Sequence, residues 1–442
     1  MRSTAIEIVR RLQQAGCTAY WAGGCVRDML RGSTPDDYDI ATSAKPDEIE
    51  RLFPKTIPVG KRFGVILVIE AGRQFQVATF RAESDYRDGR HPAEVKFSDA
   101  QADASRRDFT VNGMFYDPIA ERLHDWVGGE ADLGRRILRT IGNPSERFSE
   151  DHLRLLRAVR FAAQLEFQIE PETWSAVRAD AAKIASVSAE RIREELIRLL
   201  RAPYAARGLR LLHESGLLAH ILPELAATVN CQQSPDFHPE GTVFEHLLKM
   251  FEQLPEGATP SLPWAMLLHD VAKPLTAEKD PVTGSIHFYE HERMGADLSA
   301  QILERLRFPR KQIDEIVVCV RQHMQFKDVR EMRKATLRRL LLRPTFPIEL
   351  ELHRLDCLGS HGRLDNYQFC VQAASDLEQT PAAEPPLVRG KDLLQLGLTA
   401  GPEMGKLLAE IRERQLEDEF ASREEALAWA QKRIGSNPGE ET

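Results

Sequence analysis

Asp37 and Asp39, in Asp-Asp-Tyr-Asp-Ile-Ala-Thr, follow the turn Gly23-Gly24-Cys25-Val26-Arg27-Asp28 by a short gap. Side chains two apart on a strand share a face, so both carboxylates can converge on one or two divalent cations while Tyr38 points away. Hard carboxylate oxygens suit Mg²⁺. Gly23 and Gly24 let backbone N–H groups approach a triphosphate, the following helix start adds a favourable dipole, and Arg27 offers a charge-assisted contact. A phosphate cradle beside a two-carboxylate metal site predicts nucleotidyl transfer, because paired cations lower the pKa of a hydroxyl and neutralise charge in an in-line displacement.

A second group of chemistry-bearing residues lies further along the chain: His246, the adjacent His269 and Asp270, His291, His323 and Asp356. Imidazoles and carboxylates on separate helices are the expected ligands of a borderline or hard divalent ion. A metal-bound water there could attack a phosphoester, with Lys273 as a phosphate contact and His287 as an extra candidate ligand.

The elements that must position these residues divide the chain. Ala19 to Ala22, Tyr38 to Ala41, Gly64 to Glu70 and Phe75 to Phe80 are short β-rich runs, and Ala71-Gly72-Arg73 reads as a hairpin turn between the last two. The polar stretch from Phe80 to Arg106 reads as a long functional loop. After Phe148 the β signal disappears and apolar residues recur at helical spacing, as in Leu153, Leu156, Val159 and again Ile192, Leu196, Leu199. Pro381, Pro385 and Pro386 mark a linker before a charged helical tail. The predicted class is therefore α+β, with a head of a small mixed sheet plus helices over 1–145. An all-α neck over 146–215, a helical body over 216–378 and a helical tail over 387–442 follow.

At 442 residues and 42% hydrophobic composition, several domains with real cores are feasible. No apolar run reaches membrane-spanning length, and charges thread the opening helix-like segment, so a cytoplasmic protein without membrane contact is expected. Six cysteines without Cys-x-x-Cys spacing indicate neither a zinc ribbon nor a disulfide framework. A net charge of -8 restricts nucleic-acid contact to local stripes. Arg135, Arg136 and Arg139; Arg191, Arg193 and Arg198; and Arg330, Arg333, Lys334, Arg338 and Arg339 supply candidates, each also readable as a solvated helix face. The sequence carries no signal for oligomeric state.

Four motifs occur in one order: Gly-Gly-x-Val-Arg-Asp, Asp-x-Asp, Arg106-Arg107-Asp108-Phe109-Thr110-Val111-Asn112, and Glu150-Asp151-x-x-Arg154-x-x-Arg157-Ala158-x-Arg160-Phe161. Together they resemble the class II CCA-adding tRNA nucleotidyltransferase and bacterial poly(A) polymerase family. The resemblance implies a polymerase-beta-like head in which Asp37 and Asp39 hold two Mg²⁺ ions, with CTP and ATP as substrates and a tRNA 3′ end as acceptor. It assigns ribose recognition to Asp108, whose carboxylate can accept from a 2′-hydroxyl, with Arg107 on phosphate. Asp108 can equally cap the chain locally.

It further assigns base recognition to Asp151 and Arg154, neighbours on one face of a predicted helix, supported by Arg157. A carboxylate there accepts from the exocyclic amine of cytosine or adenine and rejects uracil and guanine. Family members often carry a glutamate where this chain has Gln76, which puts a third carboxylate ligand in doubt. The segment Asp85 to Pro92 sits where relatives carry a flexible element needed for the switch to adenosine, which argues against a CC-only enzyme. CCA addition is favoured, with A-only or poly(A) addition as alternatives. The second ligand set resembles the HD phosphohydrolase superfamily, whose substrates include 2′,3′-cyclic and terminal phosphates. The tail segment Arg389 to Gly405, with glycines between apolar turns, reads either as a contact to the tRNA elbow or as a packing unit.

Overall fold

Alternation in the first 124 residues builds a seven-stranded sheet. Its strands belong to a series in chain order: β1 (Ala19–Ala22), β2 (Ile40–Thr42), β3 (Thr56–Gly60), β4 (Val65–Glu70), β5 (Arg73–Thr79), β6 (Arg81–Tyr86), β7 (Pro92–Phe97), β8 (Phe115–Asp117) and β9 (Arg122–His124). The computed structural model describes residues 1–86, 92–235, 238–378, 385–420 and 422–435. The large sheet runs β3-β4-β5-β2-β1-β8-β9. Only β2 and β5 pair in parallel; the other neighbours are antiparallel. Ala71 and Gly72, both at positive φ, form the two-residue turn expected between β4 and β5, where Glu70 faces Arg73.

Helices α1 (Arg2–Gln14), α2 (Gly24–Leu30) and α3 (Pro46–Leu52) cover one face. There Ile8, Leu12, Val26 and Ile49 pack on Trp21, Ile40, Phe75 and Val77. Trp21 is fully buried, and a core aromatic of this size is worth about 3–5 kcal/mol against alanine. On the other face α4 (Ala100–Ser105) lays Ala100 and Ala104 over Ala22, Ala41, Phe80 and Phe115.

Two expectations fail here. The stretch after Phe80 is not one long loop, because β6 and β7 pair as an antiparallel hairpin and α4 follows. Its polar composition hid the strands, which lie outside the large sheet. Residues 87–91 of the expected flexible segment lie outside the described residues, as do 379–384 of the expected linker. Nor does β structure end at Phe148, since Gln168–Ile169 pairs in parallel with Ile137–Leu138, and Ala277–Lys279 pairs with Ile286–Phe288.

Two compact units divide the chain at Ala226. The first continues through α5 (Gly129–Arg135), α6 (Pro144–Glu150), α7 (Leu153–Leu165), α8 (Pro171–Asp180), α9 (Ala189–Leu200) and α10 (Ala205–Glu214). The second unit is helical. Its last three helices, Gly390–Gln395, Pro402–Leu416 and Arg423–Gly435, close over Leu393, Leu407, Ile411 and Ala426. Among the described residues no helix is long and apolar enough to cross a membrane.

Candidate active site and metal centre

Asp37 and Asp39 sit just before β2, not within it, yet the alternation expected of a strand persists. Tyr38 is 4% exposed and packs on Trp21, while Asp37 is exposed and Asp39 half-buried. The ladder continues through the Ala22 N–H, which donates to the Asp39 carbonyl at 3.0 Å. Burial, followed by the charge of Asp37, raises the Asp39 pKa to about 6 against the pull of Arg107. Two carboxylates that repel each other, one partly desolvated, are electrostatically short of a cation. Extending the register of β2 and β5 puts Gln76 beside Asp39, so the neighbouring position offers a neutral amide.

Gly23 ends β1 at φ 74° and starts α2; a Cβ there would stand 2.8 Å from Arg107 Nη1. Only glycine fits both the left-handed backbone and the close guanidinium. Arg107 itself is held by Asp103 at 3.1 Å and donates to the Asn112 carbonyl. Arg27 is buried: it donates to Asp28 through Nε and Nη2, both at 2.9 Å, and to Asn112 Oδ1 at 2.6 Å. Its guanidinium is thus committed within the fold, where the sequence suggested a free phosphate contact.

Asp108 accepts from the Phe109 N–H and Asn112 through one oxygen, and from Arg157 Nε and Nη2 at 2.9 and 2.6 Å through the other. Burial pushes its pKa up, but the Arg157 charge and these bonds outweigh it and hold the carboxyl below its ordinary value. Arg157 also reaches Glu195 on α9 at 3.3 Å, and Glu195 binds Arg160 at 2.5 Å. A buried polar chain therefore ties α2 and the 108–112 turn to α7 and α9.

Asp151 and Arg154, expected as neighbours on one face of a single helix, are instead divided by a helix break. The helix breaks between α6 and α7 at Asp151, whose backbone is extended, and its carboxylate caps Leu153 and binds Arg191 at 2.6 Å. Arg154 instead pairs with Glu150 and donates to the carbonyls of Arg147 and Arg106. Several expected basic stripes are likewise internally paired: Arg139 with Asp132 and Glu170, Lys334 and Arg338 with Asp418, and Arg339 with Glu413.

In the second unit, helices gather the other ligand set. His246 Nε2 lies 3.0 Å from Asp356 Oδ1 and His269 Nε2 3.2 Å from Asp270 Oδ2. His291 Nε2 and His323 Nε2 lie 3.4 and 3.7 Å from Asp270 Oδ1. Two groups result, His246 with His269 and Asp356, and Asp270 with His291 and His323, each with ligand atoms within 4.8 Å of one another.

The outward ring nitrogens are anchored. Nδ1 of His269, His291 and His323 lies 2.6–2.8 Å from the carbonyls of Met266, Phe288 and Val320, and His246 Nδ1 stands 2.8 Å from Glu240. Such outer partners orient imidazoles for a metal. Nε2 of His246, His269, His291 and His323 all face carboxylates in this buried cluster, an arrangement that fits a cation better than a packed core. Lys273 binds Asp270 at 2.7 Å and Gln233 at 2.6 Å, whereas His287 is an exposed strand residue outside these groups. His238 and Glu240, which form a third cluster with His246, had no spacing signal in the sequence.

Comparison with known proteins places these arrangements. The "Poly A polymerase head domain" matches residues 19–139, the "Probable RNA and SrmB- binding site of polymerase A" residues 166–228, and the "HD domain" residues 242–356. A CCA-adding enzyme of Geobacillus sp. (strain WCH70) is 45% identical over 49% of this chain; the match spans about half (54%) of that relative's length. An A-adding tRNA nucleotidyltransferase of Deinococcus radiodurans is 36% identical over 94% of this chain and 96% of its own. The crystal structure of the Bacillus stearothermophilus CCA-adding enzyme in complex with CTP superposes with a TM-score of 0.77, at 28% identity, covering 98% of both chains. At 36% identity over almost its whole length to an A-adding tRNA nucleotidyltransferase, the protein belongs to the tRNA nucleotidyltransferase family of CCA-adding and A-adding enzymes.

Proposed function

We propose that this protein adds CMP, CMP and AMP to the 3′ end of tRNA from CTP and ATP, without a nucleic-acid template. The observation that carries this reading is the placement of Asp37 and Asp39 on the face opposite the Tyr38 side chain, next to the Gly23 turn and Arg107. Bound Mg²⁺ ions would lower the pKa of the RNA 3′-hydroxyl and neutralise the departing pyrophosphate. Asp37 and Asp39 anchor and orient them. Gly23 and Gly24 keep side chains away from the triphosphate, and Arg107 presents positive charge beside it. Asp108, fixed by Arg157, offers an acceptor to the ribose 2′-hydroxyl. Asp151 and Arg154 select the base by exchanging their present partners, Arg191 and Glu150, for the Watson–Crick edge of cytosine or adenine.

The long match to an A-adding enzyme supports a second reading, addition of AMP alone. One assay separates the two. Labelled tRNA lacking its terminus is incubated with Mg²⁺ and each nucleotide singly or together. Three-nucleotide products support CCA addition, a single AMP on tRNA ending in CC supports A addition, and long ladders indicate poly(A) synthesis.

A separate activity is supported by the buried histidine and aspartate set: metal-dependent hydrolysis of 2′,3′-cyclic or terminal phosphates. Release of phosphate, or opening of the cyclic ester, should depend on an added divalent ion and disappear in Asp270→Ala while nucleotide addition continues. Equal rates in that variant would reject the HD reading.

A further inference from the structure

The sheet face that carries Asp39 also carries aromatic rings that the proposed chemistry leaves unused. Directly opposed residues on neighbouring strands share a face. The row that begins at Asp39 continues through Ala22 on β1 and Phe115 on β8 to His124 on β9, the edge strand. Three strand spacings separate its ends, on the order of 14 Å. Tyr20, next along β1 on the same face, lies 4.6 Å from the His124 ring, and Trp126 stacks on His124 at 5.3 Å with an interplanar angle of 21°. Phe115 meets Trp126 edge-on at 5.9 Å and receives the Arg107 guanidinium over its face at 4.8 Å. Linked ring contacts thus join Arg107, Phe115, Trp126, His124 and Tyr20, with His124 and Trp126 at the sheet edge away from the carboxylates.

The core does not require this outer end. Trp126 is 39% exposed, although a fully packed tryptophan such as Trp21 shows what burial looks like in the same sheet. The turn that carries it is fixed from beneath, because Asp125 accepts from the N–H groups of Val127, Gly129 and Glu130 at 2.9–3.1 Å. Arg122 adds exposed positive charge on the same edge strand. An exposed ring, Trp126, stacked on half-buried His124 beside a cation is an arrangement that binds unpaired bases without reading their sequence.

We infer that Trp126 and His124, backed by Tyr20 and Phe115, form a stacking platform for an unpaired base of the RNA acceptor strand, a few nucleotides behind the 3′ end at Asp39. Ala22 and Phe115, between the two ends, are buried beneath α4, so the His124 and Trp126 end of the row is the part open to a base. The occupant is RNA and not the incoming nucleotide, whose α-phosphate must sit at Asp39 and whose base cannot then span the row. This inference rests on the polymerase reading of Asp37 and Asp39.

Full-length wild type, Trp126→Ala, Trp126→Leu and Trp126→Phe are compared in nucleotide addition to truncated tRNA, with separate KM values for tRNA and for nucleotide. Losing one base stack should raise the tRNA KM roughly 5- to 150-fold in the alanine and leucine variants. The phenylalanine variant should recover most of the affinity, and the nucleotide KM should stay within about two-fold. His124→Ala should shift the same parameter. A wild-type tRNA KM in both Trp126→Ala and Trp126→Leu overturns the platform, as does a parallel rise in nucleotide KM with a lowered Tm, which marks a packing role. Wild-type protein that incorporates no nucleotide would defeat the polymerase reading instead, so the two failures are distinct.

Discussion

Asp39 shows how one residue can be unfavourable for the fold and yet be the one the proposed chemistry calls on. Burial and Asp37 raise its pKa to about 6, so the carboxyl holds its proton better in the folded chain than in the unfolded one. Stability is therefore full below the unfolded carboxyl pKa of about 3.9 and is lost as pH rises through about 6. In metal-free protein, Asp39→Asn should raise stability at pH 8 by about 1–2 kcal/mol, discounted for partial exposure, and leave it unchanged at pH 3.5. Denaturation in EDTA at both pH values checks this; equal shifts at both would show that the charge is not the cause. The carboxylate pair was legible in the sequence because Asp-Tyr-Asp puts one apolar ring between two acids, and that alternation survives outside the regular strand. The role of Glu240 behind His246 was not legible, since nothing in His-Pro-Glu says which ring nitrogen it will face.

Among the elements, α7 carries Arg154, Arg157 and Arg160 and is bound to the 108–112 turn by charge. Asp108, Arg157, Glu195 and Arg160 are linked in a mostly buried chain, and removing one partner leaves a desolvated charge. Glu195→Ala should cost about 3–5 kcal/mol in chemical denaturation, and a loss below about 1 kcal/mol would contradict the assignment. Asp108, held below its ordinary pKa, stabilises the fold above the unfolded value and ceases to do so as pH falls through the folded one. The gap between wild type and Asp108→Asn should therefore narrow as pH falls below about 4.

The break between α6 and α7 escaped the sequence because Glu150-Asp151-His152 contains neither glycine nor proline, and i,i+3 spacing alone suggested a shared face. Asp151 is partly exposed and bound to Arg191, so Asp151→Ala should blur discrimination between CTP and UTP. Unchanged selectivity would remove Asp151 from base recognition. The hairpin of β6 and β7 was missed for a related reason: its polar strands lie outside the large sheet and give no apolar alternation.

At the scale of the whole molecule, the carboxylate pair and the histidine–aspartate set lie in separate compact units, and the order of motifs along the chain pointed to each. Ligand types made this possible, because histidines and aspartates that gather on several helices are seldom needed for packing alone. Arginine clusters were poorer guides. Acidic partners on distant segments, such as Asp418 and Glu413, already occupy Lys334, Arg338 and Arg339. Substitution in one unit should then spare the other chemistry. The decisive measurement is single-turnover incorporation of labelled CMP or AMP into truncated tRNA by wild type, Asp39→Asn and Asp270→Asn at saturating Mg²⁺. Incorporation is predicted to fall by at least about 10³-fold in Asp39→Asn and to persist in Asp270→Asn. Near wild-type incorporation by Asp39→Asn would contradict the assignment of nucleotidyl transfer to the Asp37 and Asp39 pair.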